Sequence, residues 1–349
     1  MKSGKQANPI CVAIASYGMS GEIFHAPILG NSNFFYLKTV LERSSKKCKA
    51  RYPLVSIAKK YSEILEDSEI ELVVVNTPNA LHFPMAKEAL LAGKHVVVEK
   101  PFTIAVKEGE ALIRLAKKKG LMLSVFHNKR YENDFLTVQK IIRENLVGKP
   151  VELHWHYDRY RNHLTHKKWK EDDLPGAGVL YDLGVHLIDS TLQLFGMPMT
   201  VTAHLRTLRL GAGAPDYFHL RLGYETTDVY LHSSTLVREK GPIVVLHGTN
   251  GSFVKYGSDP QEEQSKQGMT PLDKGWALEP SSQQGLLHNE TARVPFPSAK
   301  GEYEKFYEGV YYAIREKTTV PVLPEQALNN IRIIELAMQS HVAQRTIVL

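Results

Sequence analysis

The feature that most limits how this chain can fold is a pair of unbroken β-branched runs, Val73-Val74-Val75 and Val96-Val97-Val98. A strand that is apolar at every position has no face for water, so both faces must be covered, as in a parallel sheet flanked by helices. The surrounding pattern agrees. Strands are predicted over 10–15, 35–42, 71–75, 95–99 and 121–126. Helices are predicted from 21 onward and over 57–65, 82–92 and 107–119, with Gly93 and Gly120 as stops. This alternation implies an α/β class with a parallel sheet.

Beyond 148 the texture changes. Segments 151–157, 217–224, 229–237, 243–247 and 252–256 read as strands divided by turn signals such as Thr249-Asn250-Gly251. They indicate an α+β part with a large, mostly antiparallel open sheet. Residues 258–300, rich in Gln, Ser, Gly and Pro, read as a long surface excursion, and 325–339 has a helical period carried by Ala327, Ile331, Ile334 and Leu336. At 349 residues about two domains fit, divided as 1–130 and 131–349. The runs Val229-Tyr230-Leu231-His232 and Ile243-Val244-Val245-Leu246 carry apolar residues on both alternations. The open face of this sheet is therefore expected to join copies of the chain into a homodimer or a higher oligomer.

Composition excludes several classes. The formal charge is +6, but basic residues are scattered among acids, and clusters such as Lys117-Lys118-Lys119 read as solvated helix faces, so no nucleic-acid partner is expected. Two cysteines, Cys11 and Cys48, outside any C-x-x-C, fit a reducing compartment. No apolar run approaches the ~20 residues that span a bilayer, so no membrane partner is expected and the location is read as cytoplasmic.

The first strand runs into Ser16-Tyr17-Gly18-Met19-Ser20-Gly21, a G-x-G-x-x-G loop with serine in first place. It follows a buried strand, opens a helix, and is trailed 21 residues after Gly21 by Glu42 at the end of the next strand. That is the context of a dinucleotide loop with a ribose-binding acid. Gly18 lets the backbone approach a pyrophosphate, Gly21 allows close helix–strand packing, and serine can make the first turn. Glu42 favours NAD by repelling a 2′-phosphate, while Arg43 favours the phosphate of NADP; the balance is read as a slight preference for NAD.

Two further clusters carry chemistry. Glu99-Lys100-Pro101 ends a buried strand at the carboxyl edge, where parallel sheets bind ligands. Asp182 and His186 are i and i+4 on a helix and share a face with Asp189. Alone, that pair is as consistent with a helix-surface or core-edge hydrogen bond. Its spacing also suits two metal ligands, but no third is evident and no metal is expected.

In this order, the clusters resemble those of the Gfo/Idh/MocA oxidoreductases, the glucose–fructose oxidoreductase and inositol dehydrogenase family. The family's Glu-Lys-Pro signature appears as Glu99-Lys100-Pro101, and its Asp-x-Gly-x-His signature as Asp182-Leu183-Gly184-Val185-His186. Phe24-His25-Ala26-Pro27, His127-Asn128-Lys129-Arg130, Asp134-Phe135-Leu136-Thr137 and Asp158-Arg159-Tyr160-Arg161 are similar to its scyllo-inositol dehydrogenase group. Ser16, where relatives usually carry glycine, is the departure.

The resemblance implies hydride transfer between NAD or NADP and a CH–OH carbon of a sugar, cyclitol or related polyol. It implies Lys100, Asp182 and His186 as catalytic residues: His186 exchanging the alcohol proton, Lys100 bonding the reacting oxygen, Asp182 orienting substrate. Cofactor contacts would come from Ser16, Tyr17, Gly18, Met19, Ser20, Glu42, Arg43, Asn76, Thr77, Pro78, Asn79, His82, Glu99, Lys100 and Asn128. Substrate contacts would come from Lys100, Asn128, Arg159, Asp182 and His186. Other members of the family are non-catalytic dinucleotide-binding regulators or NAD-dependent glycosidases, and the proton-relay residues weigh against the regulator.

Overall fold

The computed structural model describes residues 8–165 and 168–349. Strands β1 (Ile10–Ile14), β2 (Phe35–Leu41), β3 (Ser56–Ala58), β4 (Leu72–Val75), β5 (His95–Glu99) and β6 (Leu123–Phe126) form one sheet in the order β3-β2-β1-β4-β5-β6. Every pairing in it is parallel. Val73 to Val75 and Val96 to Val98 are fully buried, as strands covered on both faces must be. The order reverses between β1 and β4, which opens a crevice beyond their carboxyl ends.

The helix after β1 starts as a wide π turn, Gly21–His25, and continues as α1 (Ala26–Leu29). The expected helix over 57–65 is corrected. Ile57 and Ala58 pair with β2 at the sheet edge, and α2 (Tyr61–Glu66) begins only after Lys60. The Glu63 carboxylate, accepting from the Lys59 and Lys60 amides at 3.1 Å each, defines that start. The helices α3 (His82–Leu91) and α4 (Val106–Lys119) follow as expected.

After α5 (Asn133–Arg143) come β7 (Pro150–His156), α6 (Lys168–Glu171), a second π turn at Leu180–Gly184 and α7 (Val185–Phe195). The second sheet adds β8 (Thr200–Arg206), β9 (Tyr217–Gly223), β10 (Asp228–Ser234), β11 (Val244–Gly248), β12 (Gly251–Lys255), β13 (Gly285–Asn289), β14 (Arg293–Phe296) and β15 (Ile347–Val348). Its order is β14-β13-β12-β11-β7-β10-β9-β8-β15, antiparallel except where β7 meets β10. The surface excursion expected over 258–300 is corrected: it contains α8 (Gln261–Lys266) and the two strands β13 and β14, which extend the sheet. The polar residues around them hid them, because an edge hairpin buries little. The helices α9 (Glu304–Arg315) and α10 (Pro324–Ala343) follow.

One face of the second sheet is core: Leu153, Trp155, Leu220, Leu222, Val229, Leu231, Val244 and Leu246 are all fully buried. The opposite face is not the large apolar surface expected. In register there stand His154, His156, His219, Arg221, Tyr230, His232 and Val245, so imidazoles dominate. Among the described residues, no helix is long and apolar enough to cross a membrane.

The two sheets share one continuous core. Elements late in the chain return to the first sheet: Ser124 Oγ donates to the Val322 carbonyl at 2.8 Å, Arg315 grips Glu71, and Phe306 packs edge-on to Phe126 at 4.9 Å. At the centre, Arg130 forks onto Asp189 with two bonds of 2.8 and 2.7 Å, and Asn330 donates to the same carboxylate at 2.8 Å. Removing one side of a buried pair strands the other charge, at a cost of about 3–5 kcal/mol. Asp189→Ala should lower unfolding stability by about that amount in urea titration; a loss under about 1 kcal/mol would show that the pair is dispensable.

Candidate active site

The departure at Ser16 is resolved by its own hydroxyl. Ser16 Oγ accepts the Gly18 amide at 3.2 Å, so the side chain closes the turn that the first glycine otherwise makes, and its proton stays available to another acceptor. Gly21 is obligatory: a Cβ there would lie 2.2 Å from the Ser16 carbonyl oxygen. Asn76, leaving β4, donates to that same carbonyl at 2.8 Å and to Ser20 Oγ at 3.3 Å. Asn76 Oδ1 and Thr77 Oγ1 are enclosed without partners at the crevice. A glycine cradle beside orphaned polar atoms fits the phosphates and ribose hydroxyls of a dinucleotide. Gly18 and Met19 are exposed there and Pro78 is half-buried, whereas the Tyr17 ring turns into the core.

Glu42 does not face the crevice freely. One of its oxygens accepts the Cys48 amide at 2.9 Å and the other accepts the Lys47 amide at 2.9 Å and the Ser45 hydroxyl. Burial would raise its pKa, but these bonds hold it below the usual value, so it acts as an anionic pin for the loop. Arg43, Ser44 and Lys46 are left exposed around it.

Three other residues expected at the cofactor also have structural partners. Glu99 accepts from His25 Nε2 at 3.0 Å, and His25 Nδ1 lies 2.7 Å from the Tyr307 hydroxyl. His82 sits between the Pro101 and Thr77 carbonyls, 2.7 and 2.9 Å from its ring nitrogens, and ties the ends of β4 and β5 together. Asn79 donates to the Gly176 carbonyl at 2.7 Å, and Trp169 and Leu174 border the same small cleft. Asn128 is buried in the turn after β6, and its side chain has no hydrogen-bond partner among the described residues.

Lys100, Asp182 and His186 meet at the carboxyl end of β5. Lys100 Nζ donates to the Asp182 backbone carbonyl at 2.8 Å and lies 3.5 Å from its Oδ1. Asp182 Oδ1 also accepts from Lys170 Nζ at 2.7 Å. Burial opposes ionisation of Asp182, yet Lys100 and Lys170 hold its pKa well below the carboxylate range. Burial lowers the Lys100 pKa, with Asp182 opposing and Lys170 assisting.

His186 is buried, and its pKa falls well below the usual imidazole value, through desolvation first and then the charge of Lys100. Nδ1 is enclosed without a hydrogen-bond partner. Arg159 is half-buried, and its charge also acts on Asp182. The arrangement offers a neutral base, a cationic donor and a fixed anion within one site.

Sequence reasoning missed Lys170 and His127. Lys170 lies in a lysine-rich stretch where nothing distinguishes one lysine from its neighbours. His127 follows β6 with its ring 6.4 Å from that of His186, and burial pushes its pKa down to about 4. Its place at the end of a buried strand, the same signal that marks Lys100, was available.

Known proteins of similar sequence and fold point to one family. Residues 10–127 match the model described as "Oxidoreductase family, NAD-binding Rossmann fold", and residues 139–349 match "Oxidoreductase family, C-terminal alpha/beta domain", both Gfo/Idh/MocA. The chain is 38% identical over 353 residues to scyllo-inositol 2-dehydrogenase (NADP(+)) of Bacillus subtilis, covering 100% of this chain and 98% of that one. A solved oxidoreductase structure from Bacillus subtilis superposes with a TM-score of 0.94 at 39% identity, over 99% of each chain. One from Bacteroides fragilis gives 0.89 at 43% identity, over 98% of this chain and 100% of the other. The chain therefore belongs to the Gfo/Idh/MocA oxidoreductase family, with an NAD(P)-binding Rossmann domain followed by the family's C-terminal α/β domain.

Proposed function

We propose that this protein is an NADP-dependent dehydrogenase of a cyclitol or related polyol, with residues 1–130 holding the dinucleotide and 131–349 the substrate. The observation that carries the reading is the meeting of Lys100, Asp182 and His186 at the edge of the parallel sheet. Likeness to an NADP-dependent scyllo-inositol dehydrogenase supports the substrate class. The dinucleotide, when bound, supplies the hydride acceptor in oxidation and the donor in reduction. The loop Ser16-Tyr17-Gly18-Met19-Ser20, with Asn76 and Thr77, would hold it.

The chain's own residues manage the proton. A neutral His186 Nε2 takes the proton of the alcohol as its carbon is oxidised, and returns it in reduction. The Lys100 ammonium, aimed by the Asp182 carbonyl, bonds the same oxygen and stabilises the negative charge that develops there. Asp182, ionised between two lysines, accepts from a neighbouring substrate hydroxyl and sets the ring's orientation. Asn128, with its side-chain amide unengaged, and Arg159 are placed in this reading around the substrate. We also propose that copies associate through the open face of the second sheet; a sedimentation mass of one chain at micromolar concentration would refute that.

Cofactor choice follows from the loop after β2. The sequence argument for NAD rested on a free Glu42 carboxylate, and both of its oxygens are engaged within the loop. Arg43 and Lys46, exposed beside it, favour a 2′-phosphate. Arg43→Ala should lower kcat/KM for NADP by about 10–100-fold, the worth of one charge-assisted contact, and leave NAD nearly unchanged. A wild-type preference for NAD, unaltered by the substitution, would reverse the assignment.

The catalytic roles are tested on a cyclitol panel. Lys100→Met should lower turnover by ~100-fold or more, and His186→Ala by ~100–10,000-fold, with dinucleotide binding retained in both. Because the His186 pKa is depressed, kcat/KM for oxidation should stay level for this group around neutrality. It should fall only as acid protonates the ring, with a midpoint below ~6.5, and His186→Ala should abolish that limb. Unchanged turnover in folded, cofactor-bound Lys100→Met would leave a dinucleotide-binding regulator as the better reading.

A further inference from the structure

The outward face of the second sheet carries a row of imidazoles. Strand register sets His204 opposite His219, His219 opposite His232, and His232 opposite His156, so four histidines stand side by side across β8, β9, β10 and β7.

At its β7 end the row meets a carboxylate. Asp158 Oδ1 lies 2.9 Å from His232 Nδ1, and Asp158 Oδ2 lies 3.2 Å from His156 Nδ1. The three ligand-type atoms fall within 4.8 Å of one another. The carboxylate is held in place by the Ser234 amide, which donates to Oδ1 at 2.9 Å. His232 Nδ1 is enclosed and, despite its nearness to Asp158, lacks the alignment of a hydrogen bond. A tetrahedral zinc with nitrogen and oxygen ligands at about 2.0–2.1 Å holds those atoms about 3.3 Å apart. Each imidazole nitrogen lies nearest a different Asp158 oxygen, and the three ligand atoms, all within 4.8 Å of one another, reach that spacing by small side-chain rotations.

We propose that His156, Asp158 and His232 form a binding site for one divalent transition metal ion of the Zn2+ class. Two imidazoles and one carboxylate select such an ion over Mg2+ or Ca2+, which take oxygen ligands. Three protein ligands leave a fourth position open to water or to a group from outside the chain. The site is separate from the crevice. It lies on the sheet face turned away from the core, whereas His186 is carried by the helix packed on the core face.

The test uses the untagged full-length protein, stripped with chelator and titrated with ZnCl2 by calorimetry. About one ion per chain is expected, with a rise in Tm that follows from binding to the native state alone. His156→Ala and His232→Ala should each weaken binding by more than about 100-fold, beyond the ~10–100-fold of an outer-shell partner. His288→Ala, removing an exposed histidine on β13 of the same sheet, should change nothing. Asp158 also orders Ser234, so it is left intact; if one histidine variant fails to fold, the other carries the test. Absence of zinc binding in the wild type, or equal binding and equal Tm shift in all three variants, would overturn the proposal.

Discussion

One buried carboxylate, Asp189, sets the relation between the two halves of this protein. It binds Arg130 from the turn after β6, Asn330 from α10, and lies 3.6 Å from His127. A buried ion pair is seldom a net source of stability, because desolvation consumes most of the Coulomb attraction. Its value here is geometric. Asp189 stands three residues beyond His186 on α7, so the fork onto Arg130 fixes the rotation of the helix that presents the imidazole. Arg130 in turn is fixed to the strand next to the one that ends at Lys100. Base and ammonium, separated by much of the sequence, are thereby held in one frame.

That frame is closed by the last third of the chain. The Glu335 carboxylate accepts the Val106 amide at the start of α4, and Tyr307 reaches through His25 to Glu99 beside Lys100. The helix after the 16–20 loop and the helix that carries His186 both begin with a π turn, a widened coil often found at functional positions. Gly184 permits the second: a Cβ there would come within 2.8 Å of Leu180 and 3.3 Å of the Phe218 ring on β9. The glycine in Asp182-Leu183-Gly184-Val185-His186 is thus explained by packing against the sheet.

Much of this was legible in the sequence because burial writes a strong pattern. Val73 to Val75 and Val96 to Val98 admit only a doubly covered strand, and the loop from Ser16 to Gly21 is placed by the strand before it. What was illegible depended on partners distant in the chain. Glu42 reads as a ribose acid by position, yet its oxygens are taken by amides only five and six residues on, through a turn that no residue type announces. Lys170 becomes a site residue only when the chain folds back onto Asp182. The short β13 and β14 carry too few buried residues to show a period, and the outward histidines were masked by the buried valines and leucines that alternate with them.

The electrostatics of the crevice form one coupled system. Lys100 and Lys170 flank Asp182, and their charge reaches His186 as well, so the imidazole is held neutral by burial first and then by the same cations that would steady an alkoxide. A depressed pKa makes His186 a weak base in isolation. The field that weakens it, however, acts in the same direction on an alcohol bonded to Lys100, lowering the alcohol's pKa also. Proton transfer depends on the difference between donor and acceptor, so the part of the shift that the lysines impose on both largely cancels, and desolvation strengthens the remaining interactions. Asp182 sets the size of the common field. Its carboxylate offsets part of two lysine charges, and the geometry that fixes it also fixes how acidic the substrate hydroxyl becomes.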